Sequence, residues 1–324
     1  DFNGHATTSQ YHLMNRLLAK VPDARLGEPA VTYGYNVLGL RTNMTDAAGS
    51  TAYSYDGRNR LVQKTRSYAG SSFSSTLSYG YDELGNLTNI LSSDPNGVDV
   101  SYGYDALNRL NVVADAKVGS TVYTYDEAGN LKDYTYPNLV STSYRYDSLN
   151  RLTNLSSDRL LTTPLATYGY TVGASGNRLT AVETLHASVL NAHPSTINRV
   201  YTYDNLYRLT GESLTFNSQP STLNYAYDPV GNRLSRTVAG APLQPQSFGF
   251  DANDRLNSDS YDANGNTLFG QGFGQSQADR YDSENRLAQR VATLNSQPST
   301  IHCTYDGDGN RVSKTVTTAT NTVT

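Results

Sequence analysis

One nine-residue phrase recurs along the chain, and it fixes the backbone more tightly than any other feature. Its clearest copy is Tyr79-Gly-Tyr81-Asp82-Glu-Leu-Gly85-Asn86-Leu87. Three more follow: Tyr102-Gly-Tyr104-Asp105-Ala-Leu-Asn108-Arg109-Leu110, Tyr123-Thr-Tyr125-Asp126-Glu-Ala-Gly129-Asn130-Leu131, and Tyr144-Arg-Tyr146-Asp147-Ser-Leu-Asn150-Arg151-Leu152. Their starts lie 23, 21 and 21 residues apart. Tyr-x-Tyr puts two rings on one face of a strand, because strand side chains alternate with period two. The Asp opens a turn by accepting backbone N–H groups. Three residues later comes Gly or Asn, the residues that best tolerate a left-handed backbone. A type I turn followed by such a residue is a common three-residue hairpin loop. An apolar Leu then re-enters a strand. Each phrase is one β-hairpin corner.

Followed along the whole chain, the left-handed position reads Gly4, Asn15, Gly39, Asn59, Gly85, Asn108, Gly129, Asn150, Gly176, Tyr207, Gly231, Asp254, Gly265, Asn285 and Gly309. Odd corners carry Gly and even corners carry something else, usually Asn. The module is therefore a pair of hairpins, with successive turns in two different environments. Position 207 breaks the chemistry, since a bulky residue at positive φ is uncommon; the sequence predicts a different turn there. The copy at Tyr168-Gly-Tyr170 departs too, with Thr171 in the Asp place and two extra residues before Gly176. His12 replaces the Asp of the second copy.

Composition fits a thin β-sheet. Of the 26 tyrosines, 22 occupy Tyr-x-Tyr positions, against 7 Phe and no Trp. Tyr buries a ring while its hydroxyl keeps a polar partner, which suits half-wet sheets better than a thick core. Charged residues make up 17% of the chain, with a net charge of −4. No basic excess exists to neutralise phosphates, which argues against a nucleic-acid partner. The single cysteine, Cys303, allows no internal disulfide, and no apolar run reaches membrane-helix length. The strands between corners are rich in Thr, Ser and Val. Insertions occur around Leu185–Asn198 and Gly270–Gln277. Asn217-Ser-Gln-Pro-Ser-Thr-Leu223 recurs as Asn295-Ser-Gln-Pro-Ser-Thr-Ile301, an internal duplication.

These phrases resemble the YD repeats of the Rhs and YD-repeat family, which includes bacterial Rhs proteins, the C subunits of insecticidal toxin complexes and the extracellular region of teneurins. The resemblance runs from Asp1 to about Arg311, and its Asn-Arg-Leu and Gly-Asn-Arg-Leu corners look bacterial. It implies an all-β fold: a spiral strip of repeated antiparallel β-hairpins, part or all of a YD-repeat shell, hollow and barrel- or tube-like. Residues 1–324 are then one continuous array of about 15 hairpin units, a fragment of a larger protein that begins mid-repeat. The family also implies a conserved core with self-cleaving aspartates, of which this sequence holds no copy. Both ends of the strip should be covered, paired to another copy, or continued by further chain.

The function this implies is structural. The chain would be a shell segment of a large secreted or cell-surface bacterial protein, encapsulating or presenting a C-terminal toxin or effector. The alternative is an extracellular adhesive or filament-forming repeat protein that binds glycans or other copies of itself. Partners are accordingly the remainder of its own polypeptide, further copies, or carbohydrate. No enzyme, cofactor or metal site is expected. The residues singled out are structural: Tyr79, Tyr81, Asp82 and Gly85; Tyr102, Tyr104, Asp105, Asn108 and Arg109; Tyr123, Tyr125, Asp126 and Gly129; Tyr144, Tyr146, Asp147, Asn150 and Arg151. The tyrosines are expected to stack on one another between neighbouring turns. Each corner Arg should pair with the Asp of an adjacent corner or cover a Tyr ring. Asp306-x-Asp308-x-Asn310 imitates the start of a calcium loop but lacks the later Gly and Glu that an EF-hand needs. The five histidines, His186 and His193 included, show no metal spacing, and Cys303 fills a first-Tyr position as a packing residue.

Overall fold

In the computed structural model the described residues are 1–159, 163–186, 195–216, 218–240, 243–270, 277–294, 297–318 and 321–323. They form 28 β-strands and one three-residue 3-10 helix, Ala24–Leu26. Each recorded strand pairing is antiparallel and joins sequence neighbours, from Thr8–Tyr11 with Leu17–Val21 to Arg311–Thr318 with Thr322–Val323. By contacts the chain divides into two compact units. The first comprises Asp1–Val98 and Asp251–Thr324, and the second Asp99–Phe250.

The first unit contains two ladders. One runs from Thr8–Tyr11 to Leu87–Ser92, the other from Ser260–Tyr261 to Thr322–Val323. The second unit is a ladder from Asp99–Tyr104 to Gln246–Ser247. Among the described residues no pairing joins the first strand of a ladder to its last, so none closes on itself as a barrel. The sheets are thin. Met44 and Thr51 are the largest side chains below 2% exposure, and the buried cluster is Tyr33, Met44 and Tyr53.

All fifteen corners use one turn. The N–H of the left-handed residue donates to the carbonyl three residues earlier, at 2.8–3.2 Å in every copy. The re-entering strand then carries one extra residue, as between Tyr104↔Leu110 and Gly103↔Val112. This is the bulge that accommodates such a turn. Backbone angles explain the Gly/Asn alternation. Even corners sit at φ 59–63°, including Tyr207 at 60°, whereas odd corners sit between 77° and 109°. The first range lies inside the small left-handed well open to L-residues, and the second largely outside it.

Two expectations about particular corners are corrected. Tyr207 makes the standard turn, with its N–H on the Asp204 carbonyl at 2.9 Å; its φ of 60° lies in the left-handed well open to L-residues, and its ring is exposed, clear of the turn. Thr171 does not take the Asp place. Gly173 does, bonding to Asn177 at 2.8 Å and accepting from Gly176 at 3.0 Å, while the two extra residues lengthen the strand Thr163–Val172. The same turn also appears at the opposite end of one hairpin, Tyr136-Pro137-Asn138-Leu139, with Leu139 at φ 64°. No phrase marked it. Residues 187–194 and 271–276, within the two insertions, lie outside the described residues, as do Asn217 and 295–296 of the duplicated segment.

The angles make a prediction. A Cβ added at Gly85 meets nothing within 4 Å, so Gly85→Ala is strained only through its φ of 94°. It should lower stability by about 1–3 kcal/mol, read as a drop in the urea midpoint at unchanged slope. Asn108→Gly should cost under roughly 1 kcal/mol. Equal losses at the two corners would refute the two-environment account.

Candidate functional site: corner network and seam

An Asp carboxylate organises most corners; Asn36 accepts the Leu40 N–H in the same way, and Gly173 offers only its backbone. In even corners its Oδ1 accepts the backbone N–H four residues on, and its Oδ2 accepts the Nε–H of the Arg at that same place. Arg109 to Asp105 (2.9 and 2.8 Å) and Arg151 to Asp147 (3.0 and 2.7 Å) are examples. In odd corners Asn performs the same lock, as in Asn86 to Asp82 (2.8 Å twice) and Asn130 to Asp126 (2.8 and 3.0 Å). The Arg109 guanidinium beside Asp105, and the Arg151 guanidinium beside Asp147, hold those carboxyls below the usual carboxylate range. At corner 12 the His12 Nδ1 accepts the Met14 N–H at 3.1 Å and stands in for the missing carboxylate.

Arg differs from Asn in reach. Arg60 donates to the Asp82 carbonyl at 2.9 Å, Arg151 to Gly173 at 2.7 Å, and Arg208 to Asp228 at 2.8 Å, each the next corner along. The same guanidinium covers the second tyrosine of that corner. Arg60 lies 4.7 Å from the Tyr81 centroid, Arg109 4.4 Å from Tyr125, Arg208 5.0 Å from Tyr227, and Arg286 4.8 Å from Tyr305. Arg60, Arg208 and Arg286 make both contacts, Arg16 and Arg151 the carbonyl contact, and Arg109 and Arg255 the ring contact, so even corners reach the odd corner that follows by one route or both. The expected Asp partner from an adjacent corner is corrected: the Arg pairs with the Asp of its own turn and takes the neighbour's carbonyl and ring.

Mutual stacking of the tyrosines is also corrected. Ring–ring contacts among the described tyrosines centre on Tyr134, which touches Tyr123, Tyr136 and Tyr144 at 6.0, 5.0 and 6.1 Å. Corner tyrosines lie two strands apart, about 10 Å at the usual strand spacing, which is beyond stacking range. Instead the second Tyr donates its hydroxyl to the preceding corner. Tyr81 bonds the Leu61 carbonyl (2.9 Å), Tyr125 Leu110 (2.6 Å), Tyr146 Leu131 (3.0 Å) and Tyr227 Leu209 (2.7 Å). Of the first tyrosines, Tyr79 and Tyr144 are half-buried, and burial pushes both hydroxyls above their ordinary range; Tyr102 and Tyr123 are half-buried as well.

A second network joins residues 255–274 apart in sequence, all inside the first unit. The corner Asp306–Gly309 docks on the strands Val31–Tyr35 and Arg41–Asp46. Tyr33 donates to the Gly307 carbonyl (3.0 Å), Gly307 N–H donates to Asp46 (3.0 Å), and Arg41 grips Asp308 through both nitrogens (2.5 and 2.7 Å). Asp46 is itself held by buried Arg66 at 2.6 and 3.0 Å. Position 307 must be small, since a Cβ there would lie 2.5 Å from Val31 and 2.8 Å from the Met44 sulfur. Corner 282 contributes Glu284, 2.7 Å from Lys20, and Ser283 on Glu28. Corner 262 contributes Asn264, which accepts the Phe2 N–H at 2.7 Å and donates to Asp1 at 3.0 Å. A cavity of about 290 Å³ lies along this seam between Lys20, Glu28, Asp46, Glu284 and Cys303. The sequence carried no mark of the seam beyond the carboxylates of corner 306, which bind protein groups here: Asp306 accepts the N–H groups of Asp308 and Asn310. His193 lies outside the described residues. Among those residues no group of three or more His, Cys, Asp or Glu is placed to hold a metal, and no helix is long and apolar enough to cross a membrane.

Seam carboxylates give a pH signature. Burial opposes the charge on Asp46, but Arg66 and the Gly307 N–H outweigh it and hold the carboxyl below its ordinary value; Arg41 does the same for Asp308. A carboxyl depressed in the folded state stabilises it above the unfolded value and loses that contribution as pH falls through the folded one. Amide exchange at Gly307 should therefore rise relative to that at Gly176, whose turn carries no carboxylate, as pH drops below about 4. A constant ratio would show that the seam does not depend on these charges.

The RHS Repeat family model matches residues 35–71, 81–118 and 125–159. No curated protein sequence matches the chain. Among solved structures, the Photorhabdus luminescens Tc holotoxin pore aligns at TM-score 0.78 and 19% identity, covering 97% of this chain and 18% of that one. The TcdB2–TccC3–Cdc42 crystal structure aligns at 0.72 and 17%, and TcdB2–TccC3 at 0.70 and 17%; each alignment covers 99% of this chain and 20% of the other. The chain thus spans about a fifth of the length of the structures it matches. Three segments of the chain match the RHS Repeat model, and over nearly its whole length the chain has the hairpin-strip fold of these toxin-complex structures.

Proposed function

We propose that residues 1–324 are one continuous stretch of wall in an RHS-type shell, belonging to a larger exported bacterial protein that encloses or presents a C-terminal effector. The observation that carries this reading is the seam. A strip that touches itself at separations of 255–274 residues behaves as a spiral whose successive turns lie edge to edge, and such a spiral bounds a lumen. Edge-to-edge contact also covers strand ends that would otherwise invite association. In this reading the corner residues are structural. The Asp, the Arg or Asn that locks it, and the second Tyr of the corners that carry them spend hydrogen bonds on one another and on backbone, which leaves little for catalysis or for a glycan. The adhesive, filament-forming alternative has no observation in its favour, and the aligned structures are toxin complexes.

The test is protease protection in the full-length polypeptide, combined with electron cryo-microscopy. The C-terminal segment should resist digestion in native closed particles and become cleavable once the wall is denatured. Immediate cleavage, or open filaments without a lumen, would overturn the proposal.

A further inference from the structure

Two tyrosines outside the repeated phrase, Tyr134 and Tyr136, gather with two inside it, Tyr123 and Tyr144. Tyr123 and Tyr134 face each other in register across neighbouring strands. At other corners the place opposite the first tyrosine holds residues such as Lys64, Ile90, Val113 and Leu155. Among the described pairings, no other corner sets a tyrosine there. On its other side Tyr134 faces Thr142, and Tyr144 follows two residues later on the same face. Tyr134 is thus the centre of a ring cluster that crosses three strands, Gly119–Tyr125, Leu131–Thr135 and Val140–Tyr146.

This cluster has a chemistry that the isolated corner rings lack. Tyr134 meets Tyr136 edge-on at 5.0 Å between centroids and Tyr144 tilted at 6.1 Å, separations at which ring edges touch. The hydroxyls of Thr142, Tyr136 and Tyr144 lie close enough to the Tyr134 oxygen to hold its phenol below the ordinary tyrosine value. Hydroxyls that converge also bring together the ring carbons beside them, where a phenoxyl radical concentrates its unpaired electron. Tyr136 is 44% exposed, so an oxidant reaches the cluster without opening the sheet. The chain has no Trp, which leaves tyrosine as its most readily oxidised ring.

We infer that this cluster is an oxidative modification site, where a peroxide-driven one-electron oxidant couples Tyr134 to Tyr136 or Tyr144 as a dityrosine. Each of the two phenols loses one electron and its hydroxyl proton. The two radicals join through the carbons beside their oxygens, forming one C–C bond. The hydrogens on those carbons then move to the oxygens and restore both rings. The two electrons and two protons go to hydrogen peroxide, whose O–O bond breaks to give two waters. A bond to Tyr144 would tie two strands covalently and restrain the unfolded chain as a disulfide does, in a sequence whose single cysteine allows no internal disulfide. The inference does not rest on the shell reading.

The experiment treats the full-length polypeptide with a small haem peptide and hydrogen peroxide, then maps the products by tryptic mass spectrometry. Asp133–Arg145 is one tryptic peptide that carries all three tyrosines, so coupling should make it lighter by two hydrogens. Because rings held in contact couple without a diffusive encounter, its yield should exceed that of any other dityrosine in residues 1–324 by roughly tenfold. Tyr134→Phe should abolish this product while leaving the β-sheet circular dichroism unchanged, and Tyr207→Phe, at an exposed ring, should leave it intact. The unmutated protein in urea supplies a comparison that depends on no variant: there the preference for this peptide should vanish. A native product map as scattered as the one in urea would overturn the inference. So would a bond that survives Tyr134→Phe, a bond made chiefly to Tyr123, or a yield that rises with protein concentration.

Discussion

The reach of one side chain, the arginine of each even corner, holds the array together. Arg208 shows the full set: it neutralises the Asp of its own turn, donates to the carbonyl that opens the next turn, and lies over the next tyrosine ring. A thin sheet buries too little apolar area to hold its strands in place by packing. Its cohesion must come from directional contacts repeated at every corner, and a planar guanidinium suits that task because it can serve several acceptors and a ring at once. Lysine would supply the charge without the fork. The pairwise character of the repeat follows. A corner with Asn is locked but passive, a corner with Arg is locked and reaches forward, and the two alternate.

Much of this was legible in the residues. Tyr-x-Tyr, Asp and the left-handed Gly or Asn define a hairpin corner from elementary strand and turn geometry. The two-environment reading of the alternation corresponds to two φ ranges, one near 60° and one near 90°. What the sequence hid were matters of distance. Strand spacing sets the tyrosine rings too far apart to stack, and of the two expected places for each arginine, an adjacent Asp or a Tyr ring, it is the ring that is occupied. Tyr207 misled because residue preference was weighed more heavily than the turn's own geometry, which tolerates any side chain that points away. Leu139 builds the same turn without the phrase.

The seam was hidden for a different reason. Its residues lie 255–274 positions apart, and although Tyr33 and Arg41 belong to a repeated phrase, Lys20, Glu28 and Asp46 lie outside any. Gly307 sits where most corners carry a larger residue, and its Cβ-free surface lets Met44 and Val31 approach. A reader of sequence could have noticed that corner 306 alone reads Asp-Gly-Asp-Gly, but not what it faces. The fold is thus written in the periodic residues, while contact between turns is written in the exceptions.

The clamp can be removed without unlocking its own corner, because odd corners already show that Asn suffices for the lock. Arg208→Asn should leave exchange of the Asp204 and Tyr207 amides unchanged while accelerating exchange of the Asp228 and Gly231 amides in the next turn, measured by native-state hydrogen exchange. If both turns stay equally protected, or if corner 204 opens first, the forward reach of arginine is not what holds one hairpin to the next.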